Sequence, residues 1–534
     1  MRLAAAAVLA AGVGMIAGCG NTYRPVVSTI GVVGPAGQPT KYAIAVSTPA
    51  PPGQPCPLAG EATSNGLLTM VDFAGDTVLV TATLGVNPYY LALNASGTTG
   101  YTLNCDKTVN SFDISTSLIS SQVLESTLLP GANPVSVFAS STSTYIADPG
   151  VGSIDQLTST PPALKQELPV PGGYSPIYVV GQSGAARAYA LSQANTPTLC
   201  GASLVYGCAS AIETGANTIS VNLPVGRGPV YGVMTVDDHR AFILNQTDGT
   251  VSVINVNNNA LDTPVNTIPV GQRPVWADLA SGLDELMVAN EGPVFAITGY
   301  SITGNVITLT TLPQNLTAGQ SVTLSGFPLS TFLNGRVVTV SAGGLTGTTL
   351  QAPLTHANVA VTTEPAQGFT GNGTTPGSLT IINIPLCSVT ALPTNPNCNA
   401  TNPIDATAFG TVQATVPVGV NPIMVSVLSD FTRAYVANAG IASLPCAANG
   451  VAVAGVSTSC TVSVVNLLSD TVTATIPING HPVYIATTDA TPTGKVYVVC
   501  NDSQVMTVIQ TETDSVDTTV PLQGYGVSVR VSQP

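Results

Sequence analysis

His481, Arg227 and Arg273 stand at equivalent places, each one or two residues before a proline (Pro482, Pro229 and Pro274). Were they to converge, an imidazole and two guanidinium groups could bind an anion or act on a lactone, with the histidine as acid or base. The simpler reading is that they are polar residues at variable loop positions. Tyr23 and Arg24 precede Pro25 in a similar phrase. Asp237, Asp238 and His239 form a second cluster of metal-ligand types. They fall where a hairpin turn is expected, and turns favour Asp without any metal. The sequence has no Gly-x-Ser-x-Gly elbow, no His-Glu-x-x-His, no phosphate-binding Gly-x-x-x-x-Gly-Lys and no Cys-x-x-Cys-His. His481, Arg227 and Arg273 are therefore the catalytic candidates, and no cofactor or metal is expected.

The ten cysteines carry the other recognisable chemistry. Cys200 and Cys208, Cys387 and Cys398, and Cys446 and Cys460 lie close together in stretches rich in Gly, Ala, Asn and Pro. We read them as disulfides that close loops, which suits an exported protein. Cys56 with Cys105 is a further pairing, and Cys500 is then left as a buried thiol. A zinc site is the rival reading. It lacks a Cys-x-x-Cys pair, and His239, His356 and His481 are the only histidines.

The N-terminus supports export. Arg2 gives a short positive region, and residues 3–16 are apolar but too few to span a bilayer. Residues 1–18 read as a signal peptide. The Ile-Ala-Gly-Cys ending at 16–19 resembles a bacterial lipobox, which implies lipidation at Cys19 and a tether over 19–40. Gly20, where an inner-membrane retention signal would have Asp, points to the outer membrane. The alternative is an ordinary signal peptide with a chance cysteine.

Composition bounds the rest. Only 7% of the 534 residues are charged, net charge is −14, and Gly and Pro number 52 and 41. That mix suits many short strands joined by turns. Thirteen basic residues without a cluster would repel a phosphate backbone rather than hold it, so no nucleic acid is expected as a partner.

One unit recurs seven times and orders these residues. It opens at Pro88, Pro134, Pro176, Pro229, Pro274, Pro422 and Pro482. After 11 to 15 residues comes a four-residue word, such as Phe-Ile-Leu-Asn at 242–245 or Tyr-Val-Ala-Asn at 435–438. Within 229–271 the apolar residues alternate in four short runs: 230–235, 241–245, 251–255 and 263–270. Four antiparallel strands in some 45 residues make one blade of a propeller. Residues 41–46, 66–73 and 76–84 supply three strands without an opener, and 524–530 supply one strand without a unit. Joined, they make an eighth blade and close the ring; seven blades is the alternative.

The repeat resembles the YVTN family of β-propellers, over about 80–295 and 375–531. The fold class expected is all-β, an eight-bladed propeller closed by its terminal strands. In the repeated word, the ring is expected to pack between sheets and the Asn to cap a turn. The 148-residue gap between Pro274 and Pro422 holds two inserts. One is a loop over 387–408. The other, 297–370, has its own strand pattern and reads as a small β-sandwich-like domain, dividing the propeller into 41–296 and 371–534. Propellers that bind quinone cofactors commonly repeat tryptophans, and Trp276 is the only one here. The function expected is a membrane-tethered binding or scaffolding module for an envelope protein or glycan. The alternative is a lactonase-type propeller hydrolase using His481, Arg227 and Arg273.

Overall fold

The computed structural model describes residues 41–532 apart from 50–55, 57–63, 141–142, 159–161, 293, 312–313, 315, 317, 326, 328, 334–335, 371–375, 386–407, 442–443 and 448–458. The signal peptide, Cys19, the Tyr23–Arg24 phrase and Cys387 with Cys398 lie outside the described residues. No described helix is long and apolar enough to cross a membrane.

Eight four-stranded antiparallel sheets form the body. The innermost strands of blades 1 to 8 are Pro88–Leu93, Ser136–Ala139, Ser175–Gly181, Pro229–Met234, Pro274–Ala280, Pro422–Val427, Pro482–Thr488 and Tyr525–Ser532. Each touches the next, and the last touches the first, so the ring is closed. Blade 8 carries the closure. Tyr525–Ser532 pairs with Tyr42–Thr48, which pairs with Asn65–Asp72, and then Val78–Val86. Eight blades, not seven, are therefore built, as the two unmatched ends of the repeat predicted. Closing the sequence on itself removes the exposed edges that an open array would leave.

The repeated spacing is a strand register. In six blades the opening proline sits opposite the last residue of the word: Pro88 faces Asn104, Pro229 faces Asn245, and Pro482 faces Cys500. One residue later the register slips, so that Tyr90 faces Leu103 and Tyr231 faces Leu244. This bulge adds one residue to the inner strand and re-aims the side chain that follows.

The word holds blades together. Tyr145, Tyr189 and Tyr435 are fully buried between sheets. Their hydroxyls donate to side chains in an outer hairpin of the next blade: Asn217 at 2.6 Å, Asn259 at 3.2 Å and Asp514 at 2.6 Å. The terminal Asn acts differently from expected. Asn245 Nδ2 donates to Thr250 and Ser252 on the third strand, and Asn438 Nδ2 to Thr461 and Ser463. It bridges two strands inside the sheet instead of capping a turn, because its side chain is buried where no free backbone group needs a cap. A glycine three residues before the proline makes room: a Cβ on Gly226 or Gly419 would come within 2.6 Å or 2.5 Å of the amide carbon of Asn245 or Asn438.

Two segments differ from the simplest pattern. The fourth strand of blade 4 is split into Ala260–Leu261 and Thr267–Pro269. Between them Asp262 turns inward to a fully buried Arg240, whose Nε donates to it at 2.8 Å. The insert, between the second and third strands of blade 5, is one continuous six-stranded sheet rather than two separate facing sheets. Two of its strands, Val294–Thr303 and Thr349–Pro353, have no counterpart in the sequence reading. It buries its own cluster, including Ile297, Leu309, Leu333 and Leu350. The sheet supplies enough apolar surface to form a core apart from the blades.

Candidate functional site

In the six bulged blades the bulge aims one residue toward the ring's centre, two positions after the proline. Five of these residues are aromatic: Tyr90, Tyr178, Tyr231, Trp276 and Tyr484. They touch in series. Ring centroids are 4.8 Å apart for Tyr178 and Tyr231, and 3.9 Å for Tyr231 and Trp276, which stack. Trp276 meets Tyr484 edge-on at 5.7 Å. The Arg530 guanidinium, on the closing strand, lies 4.3 Å from the Tyr484 ring centre. Its Nε donates to the Leu91 carbonyl at 3.3 Å, which ties the chain's last strand to blade 1.

Burial pushes the Tyr90, Tyr178 and Tyr231 phenols up, Tyr178 well above its ordinary value, and the Arg530 charge acts in the opposite direction on all three. They are neutral hydroxyls at physiological pH. Asp278, on the inner strand of blade 5, is pushed up to about 6 by burial, although Val427 and Leu279 backbone N–H groups donate to it at 2.8 Å.

A cavity of about 670 Å³ opens beside this belt. Tyr90, Tyr178 and Arg530 belong to both belt and cavity wall. The remaining wall comes from the C-terminal halves of the inner strands and the turns after them, with Asn94, Gln182 and Thr487 among its polar groups. Volume, aromatic faces and a few convergent polar groups are the properties of a small-ligand site.

The sequence candidates lie just before the first residues of inner strands: Arg227 and Arg273 on blades 4 and 5, which give no residue to the cavity wall, and His481 at the end of its strand opposite Thr487. Each is held by an acid of its own blade. Arg227 Nε donates to Asp248 at 2.6 Å, and Arg273 pairs with Glu291. His481 Nε2 lies 3.8 Å from Asp502, and its Nδ1–H donates to the Ala439 carbonyl at 2.6 Å. Their shared position before the prolines therefore corresponds to a tie to a loop of the same blade, to which His481 adds a bond to a loop of blade 6. His239 Nδ1 lies 2.8 Å from Asp237 Oδ2, within the expected turn, and Asp238 has φ 58°.

Disulfides join Cys56 to Cys105, Cys200 to Cys208 and Cys446 to Cys460, and Cys500 is a buried free thiol. Cys446, Cys460 and His481 place potential ligand atoms within 4.8 Å of one another. In the disulfide-bonded state neither sulfur is a thiolate and the imidazole Nδ1 is engaged, so this set does not fit a metal.

The sequence reading did not find Arg530 or the belt. The signal was present as an aromatic residue at a fixed distance after five openers. Its meaning depends on the bulge, which cannot be seen without the pairing partner.

No family model matches the sequence, and no curated protein matches it. Solved structures do. The chain is similar to dihydro-heme d1 dehydrogenase NirN in complex with DHE, at 9% identity and TM-score 0.49, over 91% of this chain and 73% of that one. It is similar to Kuenenia stuttgartiensis hydrazine synthase, at 12% identity and TM-score 0.43, over 76% and 90%. It is also similar to a candidate 6-phosphogluconolactonase from Bacteroides fragilis, at 11% identity and TM-score 0.39, over 93% and 99%. At these identities the likeness concerns fold alone, and the chain is similar to bacterial β-propeller proteins.

Proposed function

We propose that the protein is a binding propeller of the bacterial cell envelope, lipid-anchored through Cys19, that takes the end group of a glycan into the cavity beside the aromatic belt. The observation that carries this reading is the cavity itself, with Tyr90, Tyr178 and Arg530 in its wall and amide and hydroxyl side chains above them. Aromatic faces stack on the C–H faces of sugars, while amides and hydroxyls exchange hydrogen bonds with their OH groups. The three disulfides agree with a protein that folds outside the cytoplasm. A mature chain lipidated at one cysteine would hold a membrane surface by its acyl chains and present the propeller to the envelope.

The test is a panel of envelope and neutral glycans probed with the full mature chain and with Ser183→Trp, which would obstruct the exposed cavity rim. Binding by the native chain that Ser183→Trp abolishes is the expected result. Binding to nothing, or binding indifferent to the tryptophan, would reject the cavity as the site. For the hydrolase alternative, the corresponding measurement is ester and lactone turnover in His481→Ala and Arg273→Ala.

A further inference from the structure

Among the described residues Arg530 meets no carboxylate within ion-pair distance, unlike most of the other arginines. Arg187, Arg227, Arg240, Arg273 and Arg433 each meet a carboxylate, and Arg336 is exposed on the insert. Arg530 is half-buried, and Nε to the Leu91 carbonyl is its one hydrogen bond among the described residues. Stacking on Tyr484 offsets part of the desolvation and fixes the guanidinium plane. With Nε engaged, the Nη1–Nη2 edge is left to a ligand, and that edge matches a carboxylate with two parallel hydrogen bonds.

We propose that Arg530 makes this cavity a carboxylate site, and that its ligand is a hydroxylated carboxylic acid of the uronic-acid type, free or as the end group of an acidic polysaccharide. The proposal rests on the cavity reading above and adds the charge of the ligand. The charge count selects a monoanion. Among the residues that line the cavity the charged pair to weigh is Asp489, which Lys41 neutralises, and Arg530, so the wall itself carries one positive charge, while Asp278, outside that wall, has both oxygens taken by backbone N–H groups. A phosphate dianion would exceed that charge by one. Asn94, Gln182 and Thr487 supply amide and hydroxyl groups for a ligand rich in OH. Arg530 is on the strand that closes the ring, bonded to blade 1 and stacked on blade 7. A bound carboxylate therefore adds contacts across the seam, and ligand and ring closure stabilise each other by mass action.

The experiment is calorimetric titration and thermal unfolding of the full mature chain with galacturonate, oligogalacturonate, galactose and galactose 6-phosphate. Arg530→Gln and Ala95→Trp are run beside it. The second variant fills the cavity mouth from an exposed turn, so it tests the site even if Arg530→Gln fails to fold. We expect galacturonate or its oligomer to bind and raise the melting temperature. Loss of the charge-assisted hydrogen bonds in Arg530→Gln should weaken binding about tenfold or more, and Ala95→Trp should abolish it. Monomer binding as tight as oligomer binding identifies a free acid as the ligand class, and a marked preference for the oligomer identifies a polymer end; either supports the proposal. Galactose or galactose 6-phosphate binding as tightly as galacturonate, or an Arg530→Gln variant that folds and binds unchanged, would overturn the acid assignment while leaving the cavity reading intact. No binding by any of the four would overturn the assignment, and the glycan panel then decides the cavity reading separately.

Discussion

At the residue scale, blade 2 departs from the others in one telling way. In blades 1, 4, 5 and 6 the word ends in an amide that donates to the third strand, as Asn104 does to Asn110 at 2.8 Å. In blade 2 both positions are acids. Asp148 accepts backbone N–H bonds from Asn133 at 2.7 Å and Gly150 at 2.8 Å. Asp155, buried beside it, is pushed up to about 7, first by burial and then by the Asp148 charge. Because the folded value lies above the unfolded one, the protonated acid favours the fold. That contribution is full below the ordinary carboxylate range and is lost as pH rises through about 7. We expect the melting temperature to fall between pH 5 and pH 8, and Asp155→Asn, whose amide supplies the missing hydrogens, to flatten that fall. Scanning calorimetry across pH checks it; equal slopes for both proteins would refute the assignment of the fall to Asp155. A second residue-scale prediction concerns Gly419. Its Cβ would collide with the Asn438 amide, so Gly419→Ala should destabilise by about 1–3 kcal/mol in denaturant unfolding.

At the element scale, the place where the ring can open is the seam within blade 8, between the last strand and the N-terminal strands. Lys495 crosses it, donating to Asp76 at 2.6 Å and to the Phe73 carbonyl at 2.7 Å. Lys41 crosses it in the other direction to Asp489. Both ends of the Lys495 pair are largely shielded from water, so the pair is screened less than a surface ion pair. Lys495→Met should cost about 2 kcal/mol in chemical denaturation. It should also speed hydrogen exchange in Tyr525–Ser532 before other inner strands. Uniform protection across all blades in that variant would show that the seam is no weaker than the rest.

At the scale of the whole molecule, the insert and the propeller are separable in their cores. The strands that flank the insert, Glu285–Asn290 and Pro376–Asn383, pair directly with one another in blade 5. The insert buries its apolar residues against itself. Replacing 294–370 by a short Gly/Ser link should therefore leave a folded propeller. Circular dichroism and a cooperative melt within a few degrees of the native chain would be the signature. Aggregation of the shortened chain would mean that the insert shields propeller surface.

The sequence alone determined the blades and pointed to eight of them closed by the two ends, with seven as the alternative, because period and hydrophobic alternation run along the chain. Pro229 and the word at 242–245 could be read as one unit without coordinates, since a register is a matter of distance along the chain. The insert was legible as a strand-rich segment, though not as a single sheet, because sheet order joins strands far apart in sequence. The site was not legible. His481, Arg227 and Arg273 stood out by spacing, yet each meets an acid 18 to 21 residues away that spacing could not identify as its partner. Tyr178, Tyr231 and Trp276 look like ordinary strand residues until a bulge turns them inward, and Arg530 is one basic residue in a final strand. Only the closed ring brings residue 530 against residues 91 and 484. A propeller places its centre equally far, in sequence, from every blade. Periodicity therefore reveals the wall, and what faces the centre is decided by closure.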